Sequence, residues 1–468
     1  TTLLKERYRM EQITKPHCGA RLDRLPDCRW HSSMFAIVAF GLLVCWSNAV
    51  GGLILAQLKA LGWTDNSTTA TFSAITTAGM FLGALVGGII GDKTGRRNAF
   101  ILYEAIHIAS MVVGAFSPNM DFLIACRFVM GVGLGALLVT LFAGFTEYMP
   151  GRNRGTWSSR VSFIGNWSYP LCSLIAMGLT PLISAEWNWR VQLLIPAILS
   201  LIATALAWRY FPESPRWLES RGRYQEAEKV MRSIEEGVIR QTGKPLPPVV
   251  IADDGKAPQA VPYSALLTGV LLKRVILGSC VLIAMNVVQY TLINWLPTIF
   301  MTQGINLKDS IVLNTMSMFG APFGIFIAML VMDKIPRKTM GVGLLILIAV
   351  LGYIYSLQTS MLLITLIGFF LITFVYMYVC YASAVYVPEI WPTEAKLRGS
   401  GLANAVGRIS GIAAPYAVAV LLSSYGVTGV FILLGAVSII VAIAIATIGI
   451  ETKGVSVESL SIDAVANK

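Results

Sequence analysis

The stretch that decides the fold is Gly88-Ile-Ile-Gly-Asp-Lys-Thr-Gly-Arg-Arg97, a charged turn between two strongly apolar segments. A second charged turn, Asp333-Lys-Ile-Pro-Arg-Lys338, again separates two apolar segments, and it begins 241 positions after Asp92. That distance is about half of the 468-residue chain. The pattern indicates a duplicated membrane protein whose two halves move against each other.

The composition places most of the chain in a lipid bilayer. Hydrophobic residues make up 55% of the chain and charged residues only 13%, about half the charged share of a soluble protein. Apolar runs of about 18 residues or more recur along almost the whole length, as membrane-spanning helices require. A large soluble enzyme would have shorter apolar runs with polar faces between them.

Twelve apolar segments are predicted to cross the membrane: 34–57, 67–91, 98–117, 120–145, 157–181, 190–210, 273–300, 309–332, 339–357, 361–387, 400–423 and 427–449. The predicted fold is an all-α membrane protein with twelve transmembrane helices in two six-helix bundles. The predicted parts are an N-terminal tail (1–33), a first bundle (34–210), a linker with short helices (211–272), a second bundle (273–449) and a C-terminal tail (450–468).

The basic residues indicate that both termini are cytoplasmic. Of the 36 Lys and Arg residues, 31 lie in the tails and the even-numbered loops or beside them, whereas the opposite loops hold only Lys59, Arg190 and Lys308. Basic residues accumulate on the cytoplasmic side of membrane proteins. Their place in alternate loops, instead of along one stripe, also argues against nucleic acid as the reason for the net charge of +11.

The sequence lacks the signatures of cofactor chemistry. Its seven cysteines show no metal-ligand spacing, and no glycine-rich loop for ATP phosphates occurs. No nucleophile–base pair is evident, so we predict a protein that is not an enzyme and needs no cofactor or metal. The expected partners are a small-molecule substrate and the lipid bilayer, with the chain acting as a monomer.

A second element repeats between the halves. Glu147-Tyr-Met-Pro150 precedes Arg154-Gly155, and Glu389-Ile-Trp-Pro392 precedes Arg398-Gly399. Glu389 follows Glu147 by 242 positions, nearly the spacing of the two charged turns. Transporters built from repeated bundles hold their substrate between the halves, near the bilayer midplane.

Several of these elements resemble the major facilitator superfamily: the 88–97 turn, the run Arg127-Phe-Val-Met-Gly-Val-Gly-Leu-Gly135 and the Glu147 element. Phe211-Pro-Glu-Ser-Pro-Arg-Trp-Leu218 and Glu451-Thr-Lys-Gly454 resemble its sugar-porter-like branch. The resemblance covers about 34 to 454. It implies the major facilitator fold and a multi-pass metabolite transporter of the bacterial inner membrane.

Charged residues at the cytoplasmic helix ends are predicted to act as a gate. Across a closed bundle such groups pair with each other and with helix ends, and opening must break those contacts. The alternative is that the basic residues merely hold loops inside. We expect the first cluster to be the tighter, because Pro336 replaces a glycine in the second turn. The candidate gating residues are Asp92, Arg96, Arg97, Glu147, Arg154, Glu213, Arg216, Asp333, Arg337, Glu389 and Arg398.

The predicted pocket departs from the pattern of hexose transporters. Ser159, Ala284 and Met285 stand where those members carry glutamines, and Ala384 where they carry a tryptophan. These differences argue against a plain hexose as the substrate.

The seventh span carries a polar stripe instead. Asn286, Tyr290 and Asn294 recur every four residues in an otherwise apolar helix, which favours a cavity lining, although helix packing is the alternative. Tyr169 and Tyr376 are further polar aromatics on the fifth and tenth spans. The candidate substrate-binding residues are Trp46, Ser47, Asn48, Arg127, Asn166, Trp167, Asn286, Gln289, Tyr290, Asn294, Tyr378, Tyr381, Asn404 and Arg408.

Four ionisable residues lie deep in predicted spans: Glu104, His107, Arg127 and Arg408. A charge at the bilayer centre costs about 2.5–3.5 kcal/mol on insertion scales, so such groups usually face a cavity or a partner. Arg408 and Arg127 are candidates to bind an anionic group, and Arg127 is alternatively a structural hydrogen-bond hub. Ser47 stands where proton-coupled relatives carry an acidic residue. Glu104 and His107, three positions apart on one helix face, form a candidate proton site.

The predicted function is a secondary transporter that moves a small polar metabolite across the cytoplasmic membrane by alternating access. The substrate classes are a sugar derivative, a polyol, a sugar acid or another organic acid, and the resemblance implies proton-coupled uptake. The alternatives are a facilitative uniporter, an exporter of hydrophobic compounds and a transporter-like nutrient sensor. A sensor usually has a longer signalling domain than the fourteen residues after Gly454.

Overall fold

The structure is a computed structural model that describes residues 16–26, 28–44, 47–149, 154–249, 262–332, 334–392 and 395–453. These ranges are helical, with turns between the helices. Nine helices within them are long and apolar enough to cross a membrane. Below, spans keep the numbers of the twelve predicted segments and take their bounds from the structure. The first half denotes spans 1–6 and the second half spans 7–12.

The first half begins with an interrupted helix. Span 1 consists of Arg29–Val44 and Val50–Ala60, and Ser47 to Ala49 form a turn between them. Span 5 is likewise two helices, Arg154–Asn166 and Ser168–Leu179. The other bounds are Asn66–Thr94 for span 2, Arg96–Ala115 for span 3, Met120–Tyr148 for span 4 and Ala185–Tyr210 for span 6.

The second half ends in one long helix, Lys396–Ile448, which contains spans 11 and 12. Its backbone leaves the helical conformation at Gly426, with φ 64° and ψ −158°, so the expected loop between these spans is a kink. The remaining bounds are Gly269–Thr302 for span 7, Leu307–Met318 and Gly320–Val331 for span 8, Arg337–Ser356 for span 9, and Met361–Val379 for span 10, which continues as the π-helix Cys380–Tyr386 and the turn Val387–Glu389.

Side-chain caps fix where several spans begin. The carboxylate of Asp65 accepts a hydrogen bond from the Thr68 N–H at 2.7 Å. Asn119 caps span 4 and Asn306 caps span 8 in the same way. A cap of this kind satisfies one of the free N–H groups at a helix start. All three caps lie at the ends of spans that are opposite the charged turns.

Glycines bring spans 2 and 4 into backbone contact. A Cβ atom on Gly79 or Gly83 would overlap the carbonyl oxygen of Phe128 or Val132. The second half repeats this contact between spans 8 and 10, where a Cβ atom on Gly320 or Gly324 would overlap the carbonyl oxygens of Phe369 and Thr373. Each of these four pairs of counterparts is separated by 241 positions, so the duplication extends to the packing of single atoms.

The two halves meet on the side opposite the charged turns. Asn66 of span 2 donates a hydrogen bond to Ser423 of span 11 at 2.9 Å, and Asn314 of span 8 donates to Ser173 of span 5 at 3.1 Å. Near the charged turns, Asn404 of span 11 is exposed. The halves are therefore joined by hydrogen bonds on the side opposite the charged turns. Nearer the charged turns, the Phe163 ring of span 5 meets the Phe326 ring of span 8, with centroids 6.2 Å apart.

The N-terminal region and the linker pack together. Within the predicted tail, Cys18–Asp23 is helical, and Cys18, Leu22 and Leu25 are fully buried. Their apolar neighbours are in the linker helices Pro215–Ser220 and Tyr224–Thr242. Arg21 forms an ion pair with Glu235 at 2.7 Å. This part of the predicted tail is thus packed on the linker, because the apolar residues of the linker helices cover Cys18, Leu22 and Leu25.

Candidate functional site

A cluster of polar aromatic residues surrounds one cation between the two halves. The Nη1 atom of Arg408 in span 11 donates a hydrogen bond to the Tyr290 hydroxyl in span 7 at 2.8 Å. The Tyr169 ring in span 5 meets the Tyr376 ring in span 10 edge to face, with centroids 5.4 Å apart. Tyr169 also lies within electrostatic reach of Arg408 and Tyr290, and Gln289 adjoins Tyr376. These five residues are called the central cluster.

Arg408 is the cation of the central cluster. It is partly exposed, and in the described ranges the partner of its guanidinium is the neutral Tyr290 hydroxyl rather than a carboxylate. A guanidinium recognises carboxylates through charge-assisted hydrogen bonds, which are about twice as strong as neutral ones. The arrangement can therefore accept an anionic group of a small molecule.

The polar stripe of span 7 faces the boundary between the halves. A Cβ atom on Gly407 of span 11 would lie 2.9 Å from Asn286, and one on Gly411 would lie 3.2 Å from the Tyr290 ring. At the other end, the Asn294 side chain would lie 3.4 Å from a Cβ atom on Gly51 of span 1. The stripe thus follows the surface along which spans 1 and 11 approach span 7.

Arg127 contacts the interruption of span 1. Its Nη1 atom donates a hydrogen bond to the Ser47 carbonyl oxygen at 2.8 Å, and its guanidinium lies 4.6 Å from the centroid of the Phe72 ring. It is only 2% exposed. Backbone groups freed by a break in a membrane helix need partners inside the protein. Arg127 supplies one, which supports the alternative of a hydrogen-bond hub.

Glu104 and His107 are both fully buried in span 3. The Glu104 Oε2 atom lies 3.4 Å from the His107 Nδ1 atom. The other ring nitrogen, Nε2, shares a hydrogen bond of 2.7 Å with the Ser47 hydroxyl. Ser47 therefore connects the two sites, because its hydroxyl contacts His107 and its carbonyl oxygen accepts from Arg127.

The described contacts of Tyr378 and Tyr381 lie outside the central cluster, and their assignment to the pocket stays a prediction. Tyr378 donates to the Val281 carbonyl oxygen at 3.1 Å, and Tyr381 stacks on Tyr386 with centroids 5.0 Å apart. Both contacts lie within the second half. Two positions along an α-helix correspond to about 200°, so Tyr378 cannot share the face of Tyr376. Tyr381 lies in the π-helix, whose wider turn further changes the direction of its side chains.

The remaining candidate substrate-binding residues contact their own helix or a neighbouring span. Asn166 and Asn404 donate to the carbonyl oxygens of Ser162 and Ser400, one turn earlier in their own helices. The Trp167 ring lies 6.3 Å from the Phe319 ring, across the boundary between spans 5 and 8. The carbonyl oxygen of Asn48 accepts from the Gly51 N–H. Trp46, Asp333 and the side chain of Arg154 lie outside the described residues.

The first charged cluster holds three helix ends together. Arg96 donates to Glu147 at 2.8 Å and to Asp92 at 2.7 Å. The Glu213 carboxylate accepts the backbone N–H groups of Arg96 and Arg97 at 2.7 and 3.2 Å. A carboxylate at a helix N-terminus is favoured by the free N–H groups and by the helix dipole. Spans 2, 3 and 4 and the start of the linker are thereby joined.

The second cluster has the same design. Arg337 donates to Glu389 at 3.0 Å, and the Glu451 carboxylate accepts the backbone N–H groups of Arg337 and Lys338 at 2.7 and 3.1 Å. The Arg337 side chain is 7% exposed, against 16% for Arg96. Its partner Glu389 is 35% exposed, however, against 21% for Glu147, so the expectation that the first cluster is the tighter stays a prediction. Pro336 precedes the helix, where its missing N–H leaves these contacts intact.

The structure describes contacts of the predicted gating residues, and the breaking of these contacts on opening stays a prediction. The ion pairs of Arg96 with Asp92 and Glu147 and of Arg337 with Glu389 each join helix ends of one half. Arg216 pairs with Asp23 at 2.9 Å, between the linker and the N-terminal region. Arg97 donates to the Trp208 carbonyl oxygen, and Arg398 lies 5.2 Å from the Tyr263 ring centroid. In this arrangement, Arg97 and Arg398 thus contact residues of the linker side of their own half.

Glu451 was missed as a site residue, although Glu213 was predicted. The signal was available, because Glu451 follows Glu213 by 238 positions, close to the repeat. Burial alone would raise the pKa of Glu451. The N–H groups of Arg337, Lys338 and Lys453 outweigh it and hold the pKa below the ordinary value.

We expect Glu451→Gln to lower the melting temperature of the purified protein by a few degrees near neutral pH, because a helix cap contributes about 0.5–2 kcal/mol. A depressed pKa stabilises the fold above the ordinary carboxylate pKa, and this contribution disappears as the pH falls through the lowered value. The difference from wild type should therefore shrink in acid. Glu226→Gln, on an exposed linker carboxylate, is the control. Equal melting temperatures for the two variants at neutral pH would contradict the capping role.

Comparison with known proteins adds independent information. The sequence model of the Major Facilitator Superfamily matches residues 34–415. The chain is 44% identical to the inner membrane metabolite transport protein YdjE of Escherichia coli K12 over 455 residues, which is 97% of this chain and 99% of the relative. It is 26% identical to the niacin transporter NiaP of Acinetobacter baylyi over 448 residues, 95% of this chain and 99% of the relative.

Among solved structures, the fold is similar to the inward open conformation of the xylose transporter XylE from E. coli. The TM-score is 0.73 at 16% identity, with 92% of this chain and 99% of the other covered. At this identity the likeness concerns the fold.

Proposed function

The chain belongs to the major facilitator superfamily and is a multi-pass inner-membrane transporter of small metabolites, not an enzyme, and we propose that its substrate is a sugar acid or another small organic acid. The observation that carries the proposal is Arg408, a cation between the halves whose described partner is the Tyr290 hydroxyl. A bound carboxylate supplies the counter-charge that this site lacks. The phenol and amide groups of the central cluster then orient the rest of the molecule.

We further propose twelve membrane spans in two six-helix bundles, with both termini in the cytoplasm. The repeated glycine contacts support the duplication, since Gly79 and Gly320 approach equivalent carbonyl oxygens 241 positions apart. The basic residues of the charged turns support the orientation. The shared helix of spans 11 and 12 is compatible with two crossings, because its kink at Gly426 lies near the predicted loop.

Transport occurs in this proposal by rocking of two rigid halves. The charged clusters fasten the helix ends of each half, and the contacts Asn66–Ser423 and Asn314–Ser173 close the opposite side. Rocking breaks those contacts and brings the halves together at the charged turns, which exposes Arg408 to each side in turn. Only states of similar energy can exchange in this way, and the neutral hydrogen bonds between the halves are weak enough to allow it.

A facilitative uniporter is the second candidate for the mechanism. It is favoured by Ser47, because this span-1 residue cannot carry a proton as a carboxylate can. Uptake by proton symport is the first candidate, because Glu104 and His107 supply titratable groups inside the bundle.

A thermal-shift screen of the purified protein tests the substrate class. Matched pairs are used, such as gluconate with glucose and nicotinate with nicotinamide. We expect at least one acid to raise the melting temperature while its neutral partner does not, because a ligand that binds only the folded protein stabilises it. A neutral compound that stabilises as strongly as its acid would contradict the proposal.

Uptake of the acid that stabilises the protein distinguishes the two mechanisms. In proteoliposomes with an imposed pH gradient, we expect accumulation above the external concentration. A protonophore should reduce this to equilibration. Accumulation that is unchanged by the protonophore would contradict proton symport, and equilibration alone under both conditions would identify a uniporter.

A further inference from the structure

An acid–base pair is buried where span 3 meets the interruption of span 1. The side chains of Glu104 and His107 are 0% exposed, and Oε2 of the first lies 3.4 Å from Nδ1 of the second. The His107 Nε2 atom is hydrogen-bonded to the Ser47 hydroxyl at 2.7 Å. Both ring nitrogens of His107 are thereby engaged.

Such a pair is costly if it serves only packing. An ionised carboxylate inside the membrane costs several kcal/mol unless it has partners. A histidine beside it can take up a proton near neutral pH, and the resulting imidazolium neutralises the carboxylate. The pair changes its net charge by one unit when one proton binds, from −1 to zero, whichever of the two residues carries that proton.

We propose that Glu104 and His107 together form the site that binds the transported proton. This inference rests on the proposed function, since a proton site serves a transporter whose acid is carried with a proton. Ser47, at the break of span 1, connects the site to the surface between the halves.

The charged surroundings of the pair are simple in the described residues. Span 4 contributes Arg127, and its backbone at Gly133 packs against His107. Span 6 carries no Asp, Glu, Lys, Arg or His from 191 to 208, and span 2 carries none from 66 to 91. On span 3 itself, Tyr103 donates to the Gly87 carbonyl oxygen. Arg127 is thus connected to the pair through Ser47, whose carbonyl oxygen it binds and whose hydroxyl contacts His107.

Proton binding changes the balance between the pair and Arg127. With the pair at −1, its charge compensates that of Arg127 across Ser47. When a proton binds, the local charge becomes +1, and the interior attracts an anion more strongly because charges interact strongly where the effective dielectric constant is low. One proton and one monoanion can therefore enter together without net charge.

The site is connected to the moving surface through backbone contacts. Arg127 donates to the carbonyl oxygen of Ser47, and its guanidinium and the Asn294 side chain of span 7 both flank Gly51. A change of charge at His107 would alter its hydrogen bond to Ser47, then the contact of Ser47 with Arg127, and through Gly51 the packing against span 7. The broken segment of span 1 is the element that can respond, since three of its residues, Ser47 to Ala49, form a turn instead of a helix.

The test uses the small number of histidines. The chain contains three: His17, His31 and His107. Protein labelled with nitrogen-15 at histidine is reconstituted in lipid, its ring signals are followed by solid-state NMR from about pH 5 to 8, where histidine titrates, and His107→Gln assigns the signal. Infrared difference spectra of the same samples report protonation of Glu104, with Glu104→Gln as the reference.

We expect one member of the pair to take up a proton within this range in the wild-type protein. If His107 carries it, Glu104→Gln and Arg127→Gln should each shift the pH at which its ring signal changes, because each removes a neighbouring charge. If Glu104 carries it, Arg127→Gln should shift the pH at which the carboxyl band changes. Glu226→Gln, on the exposed linker helix, should leave either midpoint unchanged.

A wild-type protein in which neither the His107 signal nor the Glu104 band changes over the range would overturn the inference. So would a titration that Arg127→Gln does not shift. These measurements need no substrate, so their failure is separate from that of the proposed function. If the protein takes up an acid but neither Glu104 nor His107 changes its protonation, the proposed function is retained and the proton site is contradicted. If the pair takes up a proton but the protein binds no acid, the proton-binding site is retained and the proposed function is contradicted.

Discussion

Replacing Arg408 by Gln is expected to weaken the binding of acids by about 10- to 100-fold. A hydrogen bond to a charged group contributes about 1.5–3 kcal/mol, and each 1.4 kcal/mol is a factor of ten in affinity. Neutral analogues make no ion pair with the guanidinium, so their already weak binding should change little. The measurement is the ligand-induced rise in melting temperature, followed by the dissociation constant of the acid that gives the largest rise.

Two variants control this prediction. Arg408→Lys keeps the charge and should retain part of the preference for acids, since Lys binds carboxylates as a point charge without the planar fork. Tyr290→Phe removes the hydroxyl that holds Arg408 at 2.8 Å and should cause a smaller loss than Arg408→Gln. Equal losses for acids and neutral analogues in Arg408→Gln would show that the residue supports the fold rather than the anion.

Gly83→Ala is expected to disrupt the first half, whereas Gly88→Ala in the same helix should be tolerated. The added methyl group on Gly83 would overlap backbone atoms of Val132 in span 4, which cannot move without separating the two helices. Overpacking of this kind costs about 1–3 kcal/mol or more. At Gly88 no atom lies within 4 Å of the new Cβ, and Ala favours a helix by up to about 1 kcal/mol relative to Gly.

The measurement is the amount of folded protein extracted from membranes and its melting temperature. Gly324→Ala, the counterpart of Gly83→Ala in the second half, should show the same loss because its methyl group would overlap the Thr373 carbonyl oxygen. Similar melting temperatures for Gly83→Ala and Gly88→Ala would contradict the close approach of spans 2 and 4. A loss confined to Gly83→Ala would show that the two halves do not share this packing.

The general architecture could be predicted from the sequence because it depends on patterns along the chain. Long apolar runs, caps such as Asp65 and charged turns at a constant spacing are local signals. The interruption of span 1 and the continuous helix of spans 11 and 12 could not be read in the same way. The first lies at Ser47-Asn48 and the kink of the second follows Ser423-Ser424, and short polar stretches of this kind do not distinguish a loop from a kinked helix.

The site was predicted only in part, for reasons of geometry. The stripe of Asn286, Tyr290 and Asn294 could be recognised because it lies on one straight helix. Tyr376 was placed with Tyr378, although their side chains leave span 10 in different directions, and a π-helix follows directly. The partners of a side chain on other helices, such as Ser47 beside His107, are not encoded in local periodicity.

The charged turns illustrate the difference between a motif and its role. Arg96 and Arg337 were expected to form contacts that break when the cytoplasmic side opens. The described contacts of each stay within its own half, with Glu147 and Glu389 as the respective carboxylate partners. The turns thus hold helix ends of the same half together. The described hydrogen bonds between the halves lie on the opposite side, at Asn66 and Asn314.

The most direct test of the account is the proton movement that accompanies uptake of an acid. De-energised cells that produce the protein are suspended in lightly buffered medium, and the acid that most stabilises the purified protein is added. The account predicts that the medium becomes more alkaline as a proton enters with each anion, and that cells producing Arg408→Gln show no such change. Uptake of the acid without alkalinisation, or alkalinisation that Arg408→Gln retains in full, would contradict it.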